Sequence, residues 1–192
     1  IVEANLSSKE AKLVSDIRAQ LQQSMKRFKQ LLDMTSLISI DSRSAKVQQL
    51  ALPERLLIAK SCFNLILDNY KIVLDCESSV DNNASASSIL EAELYAIILN
   101  VFSNSIKAVI ARGGDKRIKV YSARKNGRLI LRVSDTGLGL PESQYEEVFI
   151  PFVADPAGQL YNKLKEHLKP EDRYIVGTGS GLGLSIVREI VQ

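Results

Sequence analysis

Near the end of the chain four glycines alternate with other residues, Gly177, Gly179, Gly181 and Gly183 in the run GTGSGLGLS, and an apolar helical pattern follows at once. Glycine reaches backbone angles that other residues adopt only at a cost, and it lets a ligand approach the main chain closely. Set before a helix, such a loop aims unsatisfied amides and the positive end of the helix dipole at an anion, most often a phosphate. Two common glycine-rich nucleotide loops do not fit. A Walker loop needs Lys and then Ser or Thr after its last glycine, where this chain has Leu184. The dinucleotide fingerprint needs its third glycine where Leu182 and Leu184 stand. A flexible turn without a ligand is the competing reading of this segment alone.

A second signature lies upstream. Residues 129–133 alternate as a strand and deliver Asp135, Thr136, Gly137, Leu138 and Gly139 at its end. Gly137 and Gly139 allow a sharp turn that leaves Asp135 able to accept a hydrogen bond from an exocyclic amine such as that of adenine. Taken alone, an Asp before glycines is equally an ordinary turn former.

The third signature is a helix predicted over 91–111, where Leu94, Ile97, Ile98, Val101, Ile106, Val109 and Ile110 recur at helical spacing. Asn100, Asn104 and Lys107 share one face of it. Two amides and an ammonium on an apolar helix are costly if buried without partners. A Mg2+ ion and a triphosphate satisfy them, with the Asn104 amide oxygen as a hard ligand and Lys107 as a charge for phosphate. A solvated helix face is the alternative.

In this order the three elements resemble the ATP-binding domain of sensor histidine kinases, a branch of the GHKL superfamily with the Bergerat nucleotide fold. NVFSNSIK, from Asn100 to Lys107, is similar to the N box; DTGLG, from Asp135, to the G1 box; FIPF, from Phe149, to the F box; and GTGSGLGL, from Gly177, to the G2 box. The resemblance covers roughly residues 45–192. It implies that Asn104 binds Mg2+, that Lys107 contacts phosphate with Asn104 beside it as the catalytic pair, and that Asp135 recognises adenine. It further implies that Asn100, Gly137, Gly139, Gly177, Gly179, Gly181, Leu182 and Gly183 complete the ATP pocket. The ATP-hydrolysing branches carry a glutamate one turn before the metal-binding asparagine, where this chain has Asn100. An amide is no general base, so the resemblance implies transfer to a protein side chain rather than to water.

Between the F and G2 boxes, residues 153–176 form a long connection with Pro156, Gly158 and Pro170, read as a mobile lid. Leu160, Tyr161, Leu164 and Leu168 fit a short amphipathic helix within it, with Lys163, Lys165 and Lys169 solvated. The single histidine, His167, stands in this lid and precedes Leu168, not the acidic residue that usually follows the family's phosphoacceptor. It reads as an ordinary lid residue. The acceptor histidine is therefore expected outside these residues, and a response regulator as the next partner. Residues 8–37 carry an apolar stripe of Leu13, Ile17, Leu21, Phe28, Leu31 and Leu32 on a polar helix. That arm resembles the second helix of the dimerisation and phosphoacceptor hairpin, so homodimerisation through it is expected. The resemblance also implies two further strands after the last helix, which these residues do not include. A GHKL-type ATPase, or an ATP-binding pseudokinase or interaction module without an acceptor, is the alternative.

Composition agrees. With 192 residues and 45% hydrophobic content the chain can bury one core plus a helical arm, and a formal charge of +3 is too slight to argue for nucleic acid. Cys62 and Cys76 lack metal-ligand spacing and read as thiols in a reducing compartment. No run of apolar residues reaches the length of a membrane span, so no membrane contact is expected of these residues and a cytoplasmic location is, alone or as part of a membrane-bound sensor. The expected architecture is an α/β, two-layer α+β sandwich: a helical arm over 1–44, then a mixed Bergerat-type sheet covered by helices on one face over 45–192. A strand is predicted over 47–51, a helix over 53–67, a strand over 71–75, and a hairpin of 117–123 with 128–134 across Asn126 and Gly127.

Overall fold

Apolar residues at two periods build the domain, alternating in the strands and recurring every third or fourth residue in the helices. The computed structural model describes residues 49–156, 158–172, 176, 179 and 181–192. These fall within one compact unit, Ala45–Gln192. The predicted helical arm, and residues 47 and 48 of the first predicted strand, lie outside the described residues.

Strand β1 (Leu50–Ala51) pairs antiparallel with β3 (Ser85–Ala86), Leu50 opposite Ala86. Helix α1 (Leu52–Ser61) follows directly, with Pro53 in its first turn, where a missing N–H costs nothing. It buries Leu52, Leu56 and Ala59.

The helix predicted over 53–67 is in fact two. Cys62 N–H and Phe63 N–H donate to the carbonyls of Ala59 (3.2 Å) and Lys60 (2.9 Å), tightening the last turn, and the chain restarts as α2 (Asn64–Tyr70). The break sets the Phe63 ring edge-on to Phe102, with centroids 6.5 Å apart. Lys71, in the left-handed region at φ 53°, ends α2 and turns the chain into β2 (Val73–Asp75).

β2 pairs parallel with β4 (Arg117–Lys125), which pairs antiparallel with β5 (Arg128–Asp135), giving a mixed sheet of order β2-β4-β5. The β4–β5 turn uses Asn126 and Gly127 at φ 52° and 76°, the left-handed pair that a two-residue hairpin demands. Ile118 and Val120 point into the core, while Tyr121 between strand neighbours faces outward.

The long helix is α3 (Glu91–Arg112), one residue longer than predicted. Its start is fixed by the Glu93 carboxylate, which accepts the Leu90 N–H at 2.9 Å. Ile98, Phe102, Ile106, Val109 and Ile110 are buried between the sheet and the other helices. By length and composition alone α3 could cross a membrane, with mean hydropathy 1.6, but these apolar residues form the core of this domain. Helices α4 (Gln159–His167) and α5 (Gly183–Val191) both pack against α3. Helices thus cover one face of a mixed sheet, with Val73 and Tyr121 exposed on the other.

Candidate nucleotide site

A cavity of about 760 Å3 opens beside α3, with Asn100, Asn104 and Lys107 among its lining residues. That volume falls within the usual range for small-molecule sites. The predicted steps along one helix face therefore bring the two amides and the ammonium to one wall.

Asp135 stands at the end of β5, on the face that carries Ile118 and Val120, because Asp135 pairs with Ile118 in the register. Its two oxygens are held separately. The Ser105 hydroxyl of α3 donates to Oδ2 at 2.9 Å, and the Gly137 N–H donates to Oδ1 at 2.9 Å. Each oxygen keeps lone-pair capacity for a ligand donor. Gly137 does not line the cavity. A Cβ there would lie 2.5 Å from Ala108 Cβ, so its role is to let the end of β5 rest on α3. Thr136 fixes the same corner, its hydroxyl donating to Asp115 O at 2.7 Å and accepting the Arg117 N–H at 2.9 Å.

Lys107 presents a different problem to the fold. Its side chain is buried, and among the described residues its ammonium has no hydrogen-bond or ion-pair partner. Burial pushes its pKa down from the ordinary lysine value. A buried cation without a counter-charge is unfavourable, and an anionic ligand relieves it.

Asn100 donates through Nδ2 to the Ala96 carbonyl at 2.8 Å, one turn back along α3. Its Oδ1 faces Gly183, where a Cβ would approach within 2.5 Å. Asn104 lines the cavity between these two residues. Among the described residues no group of three His, Cys, Asp or Glu side chains gathers as a metal site. A Mg2+ ion suits this wall only in the way it usually binds with nucleotides, through phosphate oxygens and one or two protein oxygens, here the Asn104 amide.

Further lining comes from the last glycines, which lie against the α3 wall, and from the connection before them. Gly179, Gly181 and Gly183 line the cavity, Leu182 instead caps α5, and Gly177 lies outside the described residues. Gly181 has φ 73°, and a Cβ would meet the Phe152 carbonyl carbon at 2.5 Å. That contact joins the two motifs, since the Phe152 N–H donates to the Gly181 carbonyl at 2.9 Å. Gly139, also lining the cavity, has φ 68°.

The predicted lid helix is present as α4, with Leu168 just past its end. Leu164 and Leu168 bury its apolar side, whereas Leu160, Tyr161 and Lys163 border the cavity. His167 is exposed, its ring near Gly113 and apart from the cavity. The end of this connection is tied down by Tyr70 of α2. The Tyr70 hydroxyl donates to Oδ2 of buried Asp172 and accepts the Lys169 N–H, both at 2.9 Å.

Sequence reasoning missed Ser105, Tyr70 and Asp172, and took Tyr161 for part of an apolar stripe. Ser105 has no signal of its own, because its partner is thirty positions away. A polar-tipped aromatic within a glycine-bounded connection was the one available hint for Tyr161.

The sequence pattern of the family described as histidine kinase-, DNA gyrase B-, and HSP90-like ATPase matches residues 89–192. The autoinducer 2 sensor kinase/phosphatase LuxQ of Vibrio vulnificus is 31% identical over 125 residues, covering 64% of this chain and 12% of that protein. The circadian input-output histidine kinase CikA of Synechococcus elongatus is 28% identical over 126 residues, covering 66% of this chain and 14% of its own length. The chain thus spans only a small part of the length of these curated relatives. The catalytic domain of histidine kinase ThkA has the same fold, with a TM-score of 0.54 at 20% identity, over 77% of this chain and 82% of that one. With the family pattern running from the start of α3 through α5 across every wall of the cavity, this chain belongs to the histidine kinase-, DNA gyrase B-, and HSP90-like ATPases, and its fold is that of a histidine kinase catalytic domain.

Proposed function

We propose that this domain binds Mg·ATP and transfers its γ-phosphoryl group to a histidine outside these residues, within a two-component sensor kinase. The observation that carries the proposal is the polarity of the cavity. The cavity is lined by a doubly anchored carboxylate, Asp135, and by a buried ammonium, Lys107, that has no partner among the described residues. One accepts from a base amine; the other meets polyphosphate. In the transfer, the bond from the γ-phosphorus to the bridging oxygen breaks as the bond to the acceptor ring nitrogen forms, and ADP leaves. Mg2+, held by phosphate oxygens and Asn104, would neutralise charge on the phosphates. The chain itself supplies positioning: Asp135 orients the base, Lys107 and Asn104 the phosphates, and the glycines Gly179, Gly181 and Gly183 give the phosphates room against the main chain.

Asn100 favours transfer over hydrolysis. Its amide donates to the Ala96 carbonyl, with its oxygen close against Gly183, and an amide cannot take a proton from water. The arm over 1–44 would dock the acceptor helix and a second copy, and the regulator aspartate would receive the phosphoryl group next, on the cytoplasmic side of any membrane.

Isothermal titration with ATP and Mg2+ tests the site. The parent chain binds, and Asn104→Ala loses the Mg2+-dependent part of the affinity, about tenfold or more. Equal binding by Asn104→Ala, or steady phosphate release from the isolated chain, would overturn the reading.

A further inference from the structure

The amide of Gly179 should be a free donor in a loop that receives phosphate, yet it is already taken. Its N–H donates to the Tyr161 hydroxyl at 2.8 Å, from a residue on α4, outside the glycine motif. A Cβ at Gly179 would lie 3.2 Å from Tyr161 Oη and 3.2 Å from Lys107 Nζ, so hydroxyl and ammonium converge over the same glycine. Both residues border the cavity.

The hydroxyl has a proton left to give. A phenol donates one hydrogen bond while accepting others, and the bond from Gly179 uses only its accepting side. Among the described residues no acceptor for the Tyr161 O–H is found. Burial raises the pKa of this phenol, so it keeps its proton at neutral pH. Its position is also fixed from behind. The Tyr161 N–H donates to Asp155 Oδ2 at 3.0 Å in the first turn of α4, and Leu164 on the same helix is buried. The ring therefore reaches the cavity from a packed helix, not from a loose loop.

We infer that Tyr161 is a phosphate-contacting residue: its hydroxyl, oriented by the Gly179 amide, donates to a polyphosphate oxygen held by Lys107. The inference rests on the Mg·ATP reading above and adds a residue that the glycine motif and the α3 face do not contain. It also gives the connection between residues 153 and 176 a specific task. The connection carries a phosphate ligand in addition to covering the cavity.

Tyr161→Phe keeps the ring and removes the donor. Titrations of the full chain with ATP, ADP and adenosine, at fixed Mg2+, read the result. Loss of a hydrogen bond to a charged group weakens ATP and ADP binding by about tenfold or more. Adenosine affinity stays within about twofold, because Asp135 and its anchors are untouched. Unchanged or tighter ATP binding by Tyr161→Phe, with the parent chain binding normally, overturns this inference alone and identifies the hydroxyl as a plug. An equal loss for ATP and adenosine overturns it too, since it marks a general packing role. Failure of the parent chain to bind ATP removes the functional reading and this inference with it. Thermal unfolding of the ligand-free variant alongside the parent guards against a folding defect, and Tyr161→Leu, which also lacks the ring, must weaken ATP no less than Tyr161→Phe does.

Discussion

Gly137→Ala is the sharpest test of how the surroundings of Asp135 are built. An added methyl group would stand 2.5 Å from Ala108 Cβ, 2.7 Å from the Ala108 carbonyl carbon and 2.7 Å from Asp135 Oδ1. Ordinary contact begins at 3.4 Å, so the end of β5 must retreat from α3 by about 0.9 Å. Two of the three obstacles are helix backbone or bonded to it, and cannot swing away. Overpacking of this kind costs about 1 to 3 kcal/mol of stability. The functional cost is separate, because Asp135 is held on one side by Ser105 of α3 and on the other by the amide of Gly137 itself. Moving one anchor off the other misplaces the carboxylate. A hydrogen bond between base and carboxylate is worth about 1.5 to 3 kcal/mol, so ATP affinity falls about tenfold or more. GTP, which offers no amine at that position, is affected far less, and the preference for ATP over GTP collapses. Gly139→Ala is the control: no atom lies within 4 Å of its added methyl group, but its φ of 68° makes alanine strained. That strain costs about 1 kcal/mol in stability and leaves the ATP-to-GTP ratio within about twofold. Chemical denaturation and competitive nucleotide titration read both quantities. If Gly137→Ala kept the ATP preference of the parent, the carboxylate would not be positioned by this wedge.

Lys107→Met removes a buried charge that has no partner among the described residues, so it raises or preserves stability at pH 7 while weakening ATP binding by about tenfold or more and sparing adenosine. The sign of the pH dependence follows from burial. Unfolded, the ammonium titrates near 10.5, and folded, below it; the parent therefore gains stability as pH rises from the folded pKa toward 10.5, and Lys107→Met lacks that gain in denaturation curves taken across the window. Tyr70→Phe takes away the donor that buried Asp172 has in Tyr70, and the partner of the Lys169 N–H, at a cost of about 1 to 3 kcal/mol. Hydrogen exchange should report faster opening over 159–172 with little change in α3.

The residues that were legible in the sequence are those whose constraint is local. The bounds of α3 follow from the spacing of its apolar residues, and the β4–β5 turn follows from Asn126 and Gly127, because both signals lie within one element. Its face of Asn100, Asn104 and Lys107 is legible for the same reason. What was not legible depends on a distant partner. The break after α1 needs Phe102, some forty positions from Phe63, to receive its ring. Phe152 adopts φ 69°, which no bulky residue announces, because its N–H is captured by the Gly181 carbonyl. Tyr161 fits an apolar stripe at helical spacing, and only the fold shows its hydroxyl on Gly179 rather than in the core.

The surroundings of Asp135 and of Lys107 are constructed on different principles. Asp135 is bonded to a helix and to its own turn, and Gly137 is wedged on Ala108, so on the proposed reading the base acceptor is in place before any ligand arrives. Around Lys107, the glycine loop bonds from Gly179 to Tyr161 of the connection and from Gly181 to Phe152 just before it, and Gly183 rests against Asn100 of α3. That connection is anchored in turn by Leu164, Leu168 and the Tyr70–Asp172 bond. On the proposed reading, disturbing the anchor weakens the phosphate contacts through Tyr161 and Gly179, while Asp135, which shares none of these bonds, is spared. Adenosine binding should depend on β5 and α3 alone, and the additional affinity for ATP should track the integrity of the connection. A variant that loosened the anchor and weakened adenosine as much as ATP would show that the two regions are one cooperative unit.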